Sequence, residues 1–168
     1  MRIFTTDGSC SKNPGPGSYC SIEWEDRDGQ LYIVYNKIES YNNTTNNRME
    51  LMAILDVFKL MAETDSQTKF IIYSDSAYCI NMLKPGGWIE SWSKNNWMNS
   101  KKQTVENLDI IKELYKYRNI ILDNCQLEKV KGHEGDIKNE ITDAIASKNK
   151  NKLRKFMLEN HVLTDFKD

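Results

Sequence analysis

Four acidic residues stand where a carboxylate is unfavourable. Asp7 closes the strand-like stretch RIFTTD (2–7), and Asp75 closes KFIIYSD (69–75). Glu50 opens the apolar run LMAILDVFKLMA, and Asp143 lies among apolar neighbours in NEITDAIA. Burying such groups costs free energy unless something pairs with them. Each has an ordinary explanation when taken alone: a strand-end aspartate caps its turn, and an acid in the first turn of a helix is favoured by the helix dipole. Jointly they suggest convergence. If the strands that end at Asp7 and Asp75 lie side by side and parallel, both carboxylates emerge at one carboxyl edge, where open α/β sheets place their sites. Glu50 would enter from a helix covering the sheet, and Asp143 from the inner face of the last helix. Like charges this close repel, so some must hold protons unless a cation shares them. An all-oxygen set suits hard divalent ions, magnesium or manganese, rather than zinc.

The elements that must position these acids are legible in outline. RIFTTD alternates, with Ile3, Thr5 and Asp7 on one face. YCSIEWE and LYIVYNKIE are β-rich and flank DRDG, which predicts a hairpin with a four-residue connection. A helix is expected from about Asn47 to Ala62, then the strand KFIIYSD, then a short helix SAYCINMLK stopped by Pro85-Gly86-Gly87. WIESWSKNNW reads as a short aromatic helix or loop, TVENLDIIKELYKYR as an amphipathic helix, and QLEKVKG as a fifth strand. IKNEITDAIASKNKNKLRKFML reads as one closing helix. Three antiparallel strands followed by alternating strands and helices give a mixed α/β sheet.

The 168 residues suit one domain with a real core, spanning 1–168 with a helical tail from about 148 to 168. With 28% charged and 39% hydrophobic residues the chain reads as globular. A net charge of −1 leaves any basic surface to be local. The N-terminus lacks the apolar content of a signal peptide, and no run approaches the ~20 apolar residues of a membrane span. A cytoplasmic location is expected. Cys10, Cys20, Cys79 and Cys125 form no C-x-x-C pair, which argues for free thiols and against structural zinc.

TDGSCSKNPGPGSY, TTNNRMELMA, YSDS and KVKGHEGDIKNEITDAIA, in this order, closely resemble the type 1 ribonuclease H family, over roughly residues 2–147. The resemblance implies a ribonuclease H-like fold: a five-stranded mixed sheet in strand order 3-2-1-4-5 with helices on both faces. It implies that Asp7, Glu50, Asp75 and Asp143 hold two magnesium ions, with manganese as a substitute, and that His133 lies on a mobile loop near them. The implied reaction is hydrolysis of the RNA strand of an RNA–DNA hybrid, without sequence specificity, leaving a 5′-phosphate and a 3′-hydroxyl. Two cations about 3.5–4 Å apart would hold the attacking water and the leaving oxygen. His133, flanked by Gly132 and Gly135, would shuttle a proton or aid product release.

The resemblance also assigns the substrate contacts of a monomer acting on a hybrid. Cys10, Asn13, Asn46, Asn47 and Asn139 would face the wide minor groove that displays 2′-hydroxyls. Thr45 and Asn107 match positions that grip a DNA phosphate. Ala77 departs from the pattern, since the family usually carries a longer side chain there. Residues 84–102 hold four lysines against one glutamate, a local excess of +3. Lys94, Lys101 and Lys102 would meet phosphates, with Trp88, Trp92 and Trp97 mainly a small core beneath them. The basic start of the tail reads as a solvated helix face. Two rivals remain: a hybrid-binding module without catalysis, and another nuclease of this fold, such as a junction resolvase or the nuclease domain of a reverse transcriptase.

Overall fold

The computed structural model describes residues 1–130 and 136–167. Its strands are β1 (Arg2–Cys10), β2 (Gly15–Arg27), β3 (Gln30–Thr44), β4 (Phe70–Ser74), β5 (Cys125–Lys129) and β6 (Leu163–Thr164). The helices are α1 (Asn46–Thr64), α2 (Ala77–Leu83), α3 (Trp88–Lys94), α4 (Leu108–Ile121), α5 (Ile137–Ala146) and α6 (Lys150–Glu159). The sheet order is β5-β4-β1-β2-β3-β6, antiparallel through β1–β2–β3 and parallel at β1–β4, β4–β5 and β3–β6. The expected five strands are thus present in the expected order, and a sixth joins them.

That sixth strand corrects the reading of the tail. The closing segment is two helices, broken where Ser147 ends α5, Lys148 takes a left-handed φ of 57° and Asn149 caps α6. Asn149 Oδ1 accepts from Lys152 N at 3.1 Å. The chain then returns along the outer edge of β3, where Leu163 and Thr164 pair with Tyr32 and Ile33. Lys167 donates to the buried Glu23 at 2.9 Å, and Arg27 pairs with Asp165 at 2.8 Å. Neither contact has a local signature. The hairpin is also tighter than expected. Asp26 and Arg27 stay in the ladder opposite Leu31 and Gln30, leaving the two-residue turn Asp28-Gly29. Both turn residues have positive φ, 55° and 85°, which matches the right-handed twist of the strands.

Two cores cover the two faces. Phe4, Phe70 and Ile72 of the sheet pack against Leu51, Ile54 and Phe58 of α1 and Ile111 and Leu114 of α4. Cys20, Ile22 and Trp24 pack against Ile141 of α5, with Leu153 and Phe156 of α6 alongside. Alternation along β1 therefore sends Phe4 to one layer and Thr5 to the other, where Thr5 Oγ1 lies 2.6 Å from Thr142 Oγ1 and accepts from Trp24 Nε1 at 2.8 Å. Those bonds fix α5 against β1 at the residue just before Asp143.

On the opposite face α1 comes very close to β1 at Gly8. A Cβ there would lie 2.5 Å from Glu50 N and 2.6 Å from the Met49 carbonyl carbon, backbone atoms that cannot yield by a rotamer change. Gly8→Ala should therefore push α1 off the sheet, costing roughly 2–3 kcal/mol. Thermal unfolding of the metal-free variant checks this. A melting temperature within about 1 °C of wild type would show that the contact is not tight.

Candidate active site

Three carboxylates meet at the carboxyl end of β1 and β4. One oxygen each of Asp7, Glu50 and Asp75 lies within 4.8 Å of the others. The sheet explains the first pair: β1 and β4 run parallel with Thr5 opposite Tyr73, so the same register two residues on sets Asp7 beside Asp75. The third arrives because Thr45 caps α1, accepting from Arg48 N at 3.2 Å, and because Gly8 lets that first turn approach. Asp143 completes the group from α5. It shares a hydrogen-bonding contact with Asp7 and lines a small cleft with Thr6, Asp75, Val130 and Asn139. The four acids and Asn139 are therefore brought together. His133 lies outside the described residues.

The cluster is electrostatically strained. Asp7 and Glu50 are only 7% and 9% exposed. Burial, then the charges of Asp75 and Asp143, push the Asp7 carboxyl up to about 8. Glu50 is raised well above its ordinary value, first by burial and then by the charges of Asp7 and Asp75. The Gly8 N–H works against this, donating to Asp7 Oδ1 at 2.9 Å and favouring the charged form of Glu50. Glu50 Oε2 is buried with no hydrogen-bond partner. An unpartnered carboxyl oxygen in a nest of acids fits a hard cation: the donors are all oxygen, and fully ionised they would carry more negative charge than the corner can sustain alone.

The comparisons with known proteins agree with this arrangement. The family model described as RNase H matches residues 1–151. The ribonuclease H of Caldicellulosiruptor saccharolyticus is 41% identical over 149 residues, covering 86% of this chain and 92% of the relative. The chain belongs to the ribonuclease H family. Among solved structures, LC9-RNase H1, described as a type 1 RNase H with the type 2 active-site motif, superposes with a TM-score of 0.72 at 23% identity, over 89% of this chain and 72% of that one. LC11-RNase H1, solved in complex with an RNA/DNA hybrid, gives 0.62 at 14% identity over 88% and 95%. At these identities the structures attest the ribonuclease H fold.

The remaining sequence-derived residues fall into two groups around that family site. Asn13 Oδ1 accepts from Asn46 N at 2.9 Å, tying the turn after β1 to the start of α1, where Asn46 and Asn47 are exposed. The Cys10 thiol donates to the Lys12 carbonyl at 2.6 Å. Asn107 has a left-handed φ of 60° and its Oδ1 accepts from Arg48 Nη1 at 3.4 Å, so Arg48 bridges the Thr45 cap and Asn107. Arg48 was missed by sequence reasoning, although its place one turn into a capped helix beside Thr45 was a usable signal. In the second group, Lys94, Lys101 and Lys102 are exposed on the α3 segment and the turn beyond it. Trp92 and Trp97 are half-buried against the core, Trp97 meeting Tyr115 edge-on at 5.4 Å. Trp88 departs from the expected packing role. Its ring is 45% exposed, 6.0 Å from Trp92, and borders the same open groove as Lys94 and Lys102. No helix among the described residues is long and apolar enough to cross a membrane.

The raised Asp7 carboxyl has a consequence for stability. Its contribution is fully present below the unfolded value of 3.8 and is lost as pH rises towards about 8, because across that window the folded state binds a proton the unfolded chain does not. The metal-free protein should therefore lose stability between about pH 5 and pH 8. Asp7→Asn should flatten that slope, and added magnesium should offset it. Denaturant titrations in a chelator across this range check the sign. A metal-free wild type that gains stability over it would contradict the strained cluster.

Proposed function

We propose that this chain is an endonuclease that hydrolyses the RNA strand of RNA–DNA hybrids without sequence specificity, using Asp7, Glu50, Asp75 and Asp143 as ligands for two magnesium ions. The single observation that carries the reading is the unpartnered Glu50 oxygen within a three-carboxylate cluster at the carboxyl end of two parallel strands. Membership of the ribonuclease H family supports the reaction class, and manganese fits the same donors.

When bound, a pair of hard cations supplies the Lewis acidity that lowers the pKa of an attacking water and offsets charge on the departing 3′ oxygen, giving 5′-phosphate and 3′-hydroxyl ends. The chain contributes position. Asp7, fixed in β1 between β2 and β4, is the central ligand, and Glu50 and Asp75 flank it from α1 and β4. Asp143 stands on α5 at the more open side, with Asn139 beside it to orient the substrate. His133 enters this reading only as an auxiliary proton carrier. Cys10, Asn13, Asn46 and Asn47 lie where a minor groove crossing the first turn of α1 would present its 2′-hydroxyls. Thr45, Arg48 and Asn107 form a polar notch for a phosphate of the DNA strand. Trp88 and the lysines Lys94, Lys101 and Lys102 offer an exposed ring and cationic ends to the same duplex further along. The protein is proposed to work as a monomer.

The test is cleavage of labelled RNA–DNA, RNA–RNA and DNA–DNA duplexes with magnesium, by wild type and by Asp75→Asn. Wild type should cut only the RNA of the hybrid. Asp75→Asn should lose about 10²–10³-fold or more in rate, the scale of removing a principal charge-stabilising group, while binding the hybrid with affinity within a few-fold of wild type. Equal cleavage of all three duplexes, or wild-type turnover by Asp75→Asn, would remove the proposal.

A further inference from the structure

The tail helix reaches into the site. Lys152 of α6 places its ammonium 2.8 Å from Asp143 Oδ2 and 3.1 Å from Glu140 Oε2. This is not a loose surface pair. The Lys152 and Asp143 side chains are 26% and 25% exposed, Glu140 is 11% exposed, and the other Glu140 oxygen is buried without a hydrogen-bond partner. The helix that carries Lys152 is held in place: Asn149 caps it, and Leu153, Phe156 and Met157 pack on the Ile22–Trp24 side of the sheet. The ammonium is therefore delivered by a fixed element to one particular acid. Among the described residues the ion pairs include none to Asp7 or Glu50. The cluster thus has an internal cation at its Asp143 side and none of this kind at its Glu50 side.

We propose that Lys152 is a positioning residue that serves as a tethered counter-cation for Asp143, holding that carboxylate when the adjoining divalent site is empty and weakening divalent binding there. The inference rests on the metal-ligand reading of the four acids. An ammonium at 2.8 Å takes one acceptor direction of Oδ2. A divalent ion bound through that oxygen must displace the ammonium or accept its repulsion at close range. Either way, the cation on the Asp143 side becomes the weaker of the two and exchanges more readily, whereas the cation on the Glu50 side is unaffected. The same contact ties α6 to the state of the site, because a displaced Lys152 retains Glu140 as its partner.

Manganese titration of the full chain, followed by calorimetry and by electron paramagnetic resonance of the free ion, tests this without any substrate. Lys152→Met, which keeps length and loses charge, should tighten the weaker binding step by roughly threefold to tenfold and leave the tighter step unchanged. Lys152→Arg should stay within about twofold of wild type, since it keeps the charge. A purely structural Lys152 would alter unfolding in both variants and neither affinity. In wild type, the Lys152 ammonium resonance should also shift on saturation with magnesium, which requires no variant to fold. Unchanged manganese affinity in Lys152→Met, or an ammonium signal indifferent to magnesium, would overturn the proposal. Failure of wild type to bind manganese at all would overturn the metal-ligand reading beneath it.

Discussion

Mutual repulsion among buried carboxylates is the constraint around which this fold is arranged. Asp7 and Glu50 sit in a corner that water barely reaches, with Asp75 within 4.8 Å and Asp143 in contact with Asp7. A protein has two ways to hold such a group: keep protons on it, or share a cation among its members. The fold resists the relaxation that would otherwise occur. The β1–β4 ladder fixes the first two acids, Gly8 admits the helix that brings the third, and the Thr5–Thr142 contact holds the helix that brings the fourth. Distance from one another is the one freedom these side chains are denied.

The surroundings divide the work. The first turn of α1 carries both an acid of the cluster and the residues that border it, so Thr45, Asn46, Asn47 and Arg48 are positioned by the same cap that positions Glu50. Recognition of a duplex and activation of a phosphodiester would then share one rigid reference. The α3 segment is a separate platform, whose tryptophans anchor it on the core through Trp92 and Trp97 while Trp88 and three lysines face outward. On the far side, α6 and the β6 return close the sheet edge and bring Lys152 to Asp143.

What could be read from the sequence follows from how local each determinant is. The four acids were legible because each interrupts an apolar pattern, and the parallel β1–β4 pairing needed only the alternation of the strands and the helix between them. The β6 strand was not, because a two-residue edge strand stabilised by contacts of its segment with the distant Glu23, Arg27 and Gln30 has no periodicity of its own. The break between α5 and α6 depends on Lys148 adopting a left-handed backbone, a conformation its side chain does not advertise. Lys152 was hidden among neighbouring basic residues that do face solvent, and only the break turns it inward. The four-residue hairpin was misread because Asp26 and Arg27 look like turn residues, yet the Asp28-Gly29 pair suffices.

The central claim is that a divalent cation takes the place of protons in the Asp7–Glu50–Asp75–Asp143 cluster. Proton release on adding magnesium to weakly buffered, metal-free protein near neutral pH measures that exchange directly. With Asp7 poised at about 8 and Glu50 also raised, binding should release on the order of one proton per chain. The release should diminish strongly in Asp7→Asn. Saturable magnesium binding with no proton released would mean that the cation sits elsewhere, or that the cluster was never protonated, and would contradict the account.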